Sequence, residues 1–388
     1  MFKKSSVVYL FLLFSFVFNA QETIKVEGLI VDKDKYPIPY AAVSILLKSI
    51  GTASNDDGGF VLKLTQENLN DTITVSTLGF KTFTIKVQDF IKLEKKIITL
   101  DGDVVSLDEI TLINYNSYVK DALKNLKNTT QRTGHQLNIL YRRFSNENDI
   151  SRFLVEHYLK VYDRGPTSIE FEEIEVVESR KSNDYRFAKK KQKFHAAVMI
   201  AKQNPLRKGI YRSDYKWEVV DDTSYDGEDI IVIEGKEKEN PKKWIRLYIG
   251  VDTKGIYKLE KSNLKAVYIY KKNKEGKLVL SYHNREYVFN EKVTPYMKKL
   301  LKLKSNEIRL SYKHEAIVLG VVTNRKKIRV SGNLIKRKDI GDYNIKYNSD
   351  FWKNFNLPPD SKFYKQSARQ LEKLFGIPLE NQFKLIKN

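Results

Sequence analysis

Apolar and polar residues alternate in short runs along most of this chain, the mark of strands with one face buried. Thr23 to Val31 is the first such run, with Ile24, Val26 and Gly28 in one register. Asp32 to Tyr36 makes a polar turn, and Pro37 and Pro39, which cannot donate to a ladder, suit the start of the next strand, Ala41 to Leu47. Gly51 to Ser54 and Phe60 to Leu64 flank the turn Asn55-Asp56-Asp57-Gly58-Gly59, whose glycines permit positive φ, so a hairpin is expected there. Thr72 to Thr77 and Phe80 to Val87 flank Gly79 as a second hairpin, and Lys96 to Leu100 is a last strand. Short strands at this spacing predict a β-sandwich.

The period then changes. Val119, Ala122, Leu123 and Leu126 fall at helical spacing, with Asn116 or Ser117 as the cap. Strand-like runs follow at Leu137 to Phe144, Phe153 to Tyr162, Ile169 to Val177 and Asp229 to Glu234. Five more lie at Trp244 to Val251, Ile256 to Lys261, Ala266 to Tyr270, Leu278 to Phe289 and Ile308 to Val318. Short turns such as Asp252-Thr253-Lys254-Gly255 join them, which favours an antiparallel meander over parallel crossovers. A closing helix is expected from Ser361 to Phe375, stopped by Gly376.

The first twenty residues set the expected compartment. Lys3 and Lys4, the apolar run Val7 to Phe18 and the small Ala20 make a secretory signal, too short to span a bilayer. Phe18 is bulky for its place before the cut, so the cleavage point stays open. The chain is therefore expected to be exported, periplasmic or outer-membrane-associated, with no transmembrane helix after cleavage. It has no cysteine, which excludes disulfides, thiolate metal sites, thiol nucleophiles and a lipidated N-terminal cysteine.

The net charge of +21 is unevenly spread. Residues 21–112 carry a net −4, whereas residues 113–388 carry +23. That shift marks a domain boundary, giving a signal at 1–20, a sandwich at 21–103, a linker at 104–116 and a basic β-rich domain at 117–388. Basic runs lie around Lys189–Lys193, Lys298–Lys304, Arg325–Arg329 and Lys336–Lys338. Such a surface admits an anionic lipid, a glycan or an acidic envelope protein, with peripheral membrane association. Nucleic acid is not expected, given export and the lack of a recognition motif. Lysine on solvated strand edges is the plainer explanation of the same runs.

Several motifs now stand in a telling order. Gly28 is followed by Pro39-Tyr40-Ala41-Ala42-Val43, by Gly51-Thr52 with Ser54-Asn55-Asp56-Asp57-Gly58-Gly59-Phe60, and by Val75-Ser76-Thr77-Leu78-Gly79-Phe80-Lys81. This series resembles the carboxypeptidase regulatory-like domain of Bacteroidota envelope proteins. The resemblance implies a seven-stranded transthyretin-like sandwich used as a docking or spacer module. It gives Gly28, Pro39, Ala41, Gly51, Thr52, Asp57, Gly58, Phe60, Gly79 and Phe80 structural roles. Residues 106–112 also resemble the segment that joins this module to the plug of TonB-dependent transporters, but neither plug nor large membrane barrel follows. The second domain looks like the half-barrel of periplasmic lipoprotein-sorting and lipid-shuttling proteins, whose concave face could hold an acyl chain among 23 tyrosines and 20 phenylalanines.

Catalytic chemistry is hard to find. His283-Asn284-Arg285-Glu286 fits the short His-x-x-Glu zinc spacing, with His314 as a distant third ligand. Three residues apart within a strand, however, His283 and Glu286 point to opposite faces. His135, His157 and His195 show no ligand spacing, and neither a Gly-x-Ser-x-Gly elbow nor a phosphate loop occurs. Asp56 and Asp57 are explained by turn formation. The expectation is a mainly β protein: a sandwich followed by a larger α+β domain with a curved antiparallel sheet and flanking helices. No catalytic, metal or cofactor-binding residues are assigned. The expected role is non-enzymatic, the sandwich docking and the basic domain binding an envelope partner, anionic lipid or glycan. The alternative is a periplasmic lipid-binding carrier, and a hydrolase is a minor one.

Overall fold

The computed structural model describes residues 23–45, 48, 50–103, 115–188 and 192–385. The expected secretory signal, most of the expected linker and Lys189 to Lys191 lie outside the described residues. Seven strands make the N-terminal sandwich: β1 (Thr23–Val31), β2 (Ala42–Ile45), β3 (Gly51–Ala53), β4 (Gly59–Thr65), β5 (Thr72–Ser76), β6 (Phe83–Lys86) and β7 (Ile97–Thr99). One sheet runs β4-β1-β7 and the other β3-β2-β5-β6. Val26, Ile30, Val43, Phe60, Leu62, Ile73 and Val75 fill the space between them.

The second expected hairpin forms, β5 against β6. The first does not. The Asn55–Gly59 turn closes as foreseen, but β3 pairs with β2 and β4 with β1, so the turn carries the chain from one sheet to the other. A short helix, α1 (Val87–Lys92), then leads to β7, which runs parallel to β1. Gly58, at φ +76°, has no room for a side chain: a Cβ would sit 2.4 Å from the Ile30 carbonyl oxygen.

The second half opens with α2 (Tyr115–Thr129), which starts early enough to place Asn116 and Ser117 inside its first turn instead of at its cap. Ten antiparallel strands follow: β8 (His135–Glu147), β9 (Ile150–Asp163), β10 (Glu173–Lys181), β11 (Tyr215–Tyr225), β12 (Glu228–Glu237), β13 (Trp244–Gly250), β14 (Ile256–Lys261), β15 (Ala266–Lys272), β16 (Leu278–Lys292) and β17 (Glu307–Val322). Short helices α3 (Val198–Lys202) and α4 (Pro205–Lys208) lie between β10 and β11, and α5 (Pro295–Leu300) caps the β16–β17 hairpin. The chain closes with α6 (Ser349–Asn354), α7 (Lys362–Phe375) and α8 (Leu379–Lys384). Ser361 caps α7 and Gly376 ends it in the left-handed conformation, as its sequence predicts.

The strands lie in the order β10-β9-β8-β17-β16-β15-β14-β13-β12-β11, so β10 and β11 are the edge strands and the sheet is open. The expected strand at Ile169–Val177 begins four residues later, because Gly165-Pro166-Thr167 forms a tight helical turn first and leaves Ile169 exposed. β11 went unpredicted; Asp221 and Asp222 interrupt its apolar pattern on a strand at the edge of the sheet.

Both faces of this sheet are covered at its centre. On one face α2, α3, α4 and the segment around Ile340 and Tyr343 pack on Leu137, Ile139, Tyr141, Val155 and Leu159. On the other, Ala53 and Tyr40 of the sandwich join Trp352 of α6 over Leu140, Tyr282, Ile317 and Leu319. α7 and α8 cover Phe144 and Leu154 beside them. The Tyr40 ring stacks on Tyr282 with centroids 4.2 Å apart.

Two turns of the sandwich fasten it to the rest. Asn55 donates to the Pro359 carbonyl at 2.9 Å and Asp57 accepts from the Lys362 amide at 2.6 Å. At the other end the Gly79 amide donates to the Ser224 carbonyl at 2.7 Å, and Thr82 donates to Asp226 at 2.9 Å. A free spacer does not describe this arrangement: the sandwich is welded to the back of the large sheet.

Candidate functional site: a cavity at one end of the large sheet

Alternation along β16 sends His283, Arg285, Tyr287 and Phe289 to the face that carries α2 and α3, and β17 sends Tyr312, His314, Ala316 and Val318 to the same face. The residues nearest the sheet centre are enclosed; those nearest the hairpin are not. There, between β16, β17 and the segment entering α3, lies a cavity of about 520 Å³. Its apolar walls are Phe194, Met199, Leu264, Tyr287, Phe289 and Tyr312, and its polar groups are Gln192, Lys193, Gln203, Asn263 and Arg285.

A second cavity of about 440 Å³ is contiguous with the first, sharing Gln203, Asn263, Leu264 and Tyr287, and continues toward Tyr211, Trp244 and Lys261. Both fall within the ~300–1,000 Å³ typical of small-molecule sites. Leu264 forms part of the wall common to both and sits at φ +67°, a region that a branched apolar residue rarely occupies. Strain of this kind persists only where the surroundings enforce it, and it gathers at binding sites.

Behind the cavity stands a buried polar layer. Arg285, 2% exposed, donates to Gln203 and, at 3.1 Å, to the Ala196 carbonyl, so it ties α3 to β16 at the cavity floor. Tyr141 and His314 share a hydrogen bond at 2.9 Å, His283 Nδ1 meets the Val267 carbonyl at 2.9 Å, and Arg143 donates to both oxygens of Asp339. His157 and His195 lie 3.3 Å apart through their ring nitrogens, with the Tyr343 ring edge-on to both.

Burial, with the nearby Arg143 and Arg285 charges, holds these imidazoles neutral. His195 and His283 are pushed down to about 3, and His157 and His314 lie well below the ordinary histidine value. His283 and Glu286 point to opposite faces, Glu286 pairing with Lys265. Among the described residues no group of three or more His, Asp or Glu is arranged to hold a metal.

The family-motif residues all lie away from this cavity. Phe60 and Ala41 are buried in the sandwich; Gly28 gives room to Phe60 and Phe90; Gly51 and Thr52 lie in β3, the strand that touches β17. Pro39 is exposed, Phe80 bridges to Gly102, and Asp57, Gly58 and Gly79 shape the two fastening turns. Sequence reasoning assigned none of the cavity residues. The available signal was the row of bulky side chains at odd positions 283–289 with an arginine among them, which reads equally well as core.

No curated protein matches the chain. Among solved structures it is similar to a LolA superfamily protein from Nitrosomonas europaea at 14% identity, covering 53% of this chain and 94% of that one, with a TM-score of 0.26. It is also similar to a putative outer membrane lipoprotein-sorting protein domain from Vibrio parahaemolyticus (9% identity, 56% and 94% covered, TM-score 0.25). A third is the Pseudomonas aeruginosa MucA/MucB complex (8% identity, 54% and 98% covered, TM-score 0.19). At such TM-scores none of these likenesses carries an argument about fold or ligand. The match in the first third of the chain is of another kind: residues 26–112 fit the family model described as CarboxypepD_reg-like domain. The sandwich that is fastened to the back of the large sheet is therefore a carboxypeptidase-regulatory-like domain.

Proposed function

We propose that this chain is an exported, non-enzymatic binding protein of the cell envelope that holds an amphipathic, acyl-bearing ligand in the paired cavities beside β16 and β17. The observation that carries the reading is the chemistry of the walls. Apolar side chains line one side, while Arg285 and Lys193 offer cationic groups to an anionic head group. Neutral, enclosed imidazoles support binding rather than catalysis, because a general base works best when its pKa lies near the operating pH. The sandwich then acts as a buttress that holds the sheet rigid around the cavity.

A second reading has its own observation. Lys362, Lys365, Arg369 and Lys373 line a basic groove on α7, which suits an anionic glycan or an acidic envelope protein.

A dansylated fatty acid separates the two. The wild-type chain is expected to bind it saturably, with enhanced, blue-shifted emission. Met199→Trp, which fills the first cavity, is expected to weaken binding by about tenfold or more, that is ~1.4 kcal/mol. Unsaturable binding, or binding unaffected by Met199→Trp while thermal stability is retained, would refute the cavity reading. Binding lost instead on removal of the α7 cations would favour the second.

A further inference from the structure

The β16–β17 hairpin runs past the cavity. From Phe289 at the wall to Val293 is four residues, on the order of 14 Å at ~3.4 Å per residue. The excursion therefore ends beyond the cavity mouth, in α5 and the turn that follows. Tyr296 is 75% exposed and Leu300 55%, although both are large and apolar. Around them stand Lys298, Lys299, Lys302 and Lys304, and no acid occurs between Glu291 and Glu307. None of these four lysines forms an ion pair among the described residues. Further exposed apolar groups lie toward this end: Val288 at the cavity and Ile150 at the β8–β9 turn, where the Asn148 amide donates to the Arg309 carbonyl at 2.9 Å.

We infer that the hairpin tip docks on an anionic lipid bilayer, with Tyr296 and Leu300 entering the interface and the lysines facing the head groups. Charge selects this occupant. A polar solvent-facing tip would have no use for two bare apolar side chains, and a second copy of the same tip would bring four lysines against four. An anionic leaflet complements both features: each lysine near such a surface contributes ~1 kcal/mol, and an aromatic ring belongs at head-group depth. The inference goes beyond the cavity reading and does not need it, but together they would set the cavity mouth against the membrane.

The experiment is sedimentation of the full chain with vesicles of phosphatidylcholine alone and of phosphatidylcholine containing phosphatidylglycerol, across a salt series. The wild type is expected to sediment only with the anionic vesicles, less so at high salt. Replacing the four lysines by glutamine should weaken this at least about tenfold, as should Tyr296→Ser with Leu300→Ser. Tyr296→Trp reports insertion directly, through a blue shift on anionic vesicles. Dansyl-fatty-acid binding by the tip variants should stay at wild-type level, so failure at the tip is distinguishable from failure of the cavity. The inference is overturned if the wild type stays in solution, if the tip variants sediment unchanged, if the tryptophan does not shift, or if only removal of the α7 cations releases the vesicles.

Discussion

Glu156→Ala is expected to destabilise the chain by about 3–5 kcal/mol, a large share of the ~5–15 kcal/mol that holds a typical domain folded. Glu156 is fully buried in β9 and bridges two buried arginines, accepting from Arg142 at 2.6 Å and from Arg180 at 2.5 Å. Arg180 in turn lies over the Trp352 and Phe383 rings, so this one carboxylate organises the packing of α6 and α8 on the sheet. Removing it leaves two guanidiniums without their shared counter-charge. Burial pushes its pKa up, but Arg180 and Arg142 outweigh burial and hold it below the usual carboxylate range. The triple change Arg142→Met, Glu156→Leu, Arg180→Met should cost far less, because it removes the desolvated charges together. Urea unfolding of the two variants checks both; equal losses would contradict the account of this bridge.

Acid should unfold the protein before its carboxylates titrate. His157, His195, His283 and His314 are neutral when folded, with pKa values well below the unfolded value of 6.5. The unfolded chain then binds more protons than the folded one once pH falls below 6.5, and stability falls with pH throughout that range. The slope approaches ~1.4 kcal/mol per pH unit for each histidine, so four together remove roughly 6 kcal/mol by about pH 5.5. For His195 and His283 the loss levels off only near pH 3, where the folded forms also protonate, and it is not regained at lower pH. Glu156, depressed in the fold, adds a further loss below 4.5, its unfolded value. Urea midpoints from pH 7.5 to 5 should fall steeply; a flat series would show the imidazoles to be solvated. His314→Gln should make the slope shallower by about one proton.

Much of the fold was legible because alternation and turn chemistry are local. β1 matches its predicted span from Thr23 to Val31, and the β13–β14 pair follows from two alternating runs about a four-residue turn. What escaped is what depends on partners far along the chain. β3 and β4 read as a hairpin because the Asn55–Gly59 turn is a sound turn; only the pairings with β2 and β1 separate them. Arg142, Arg143 and Glu156 fall inside predicted strands, and nothing local marks them as buried. The sandwich, α6, α7 and α8 bury one side of that sheet while α2, α3 and α4 bury the other, so these charges are enclosed and must pair. The cavity was illegible for the same reason. Met199, Leu264, Phe289 and Tyr312 come from four separate segments, and each taken alone is an ordinary core residue.

The binding of an acyl-bearing molecule is tested most directly on protein recovered from the exported fraction without detergent, then extracted and weighed by mass spectrometry. The account predicts about one such molecule per chain, reduced in Met199→Trp. Extracts holding no molecule in stoichiometric amount, from a chain that also fails to bind the dansylated fatty acid, would contradict it.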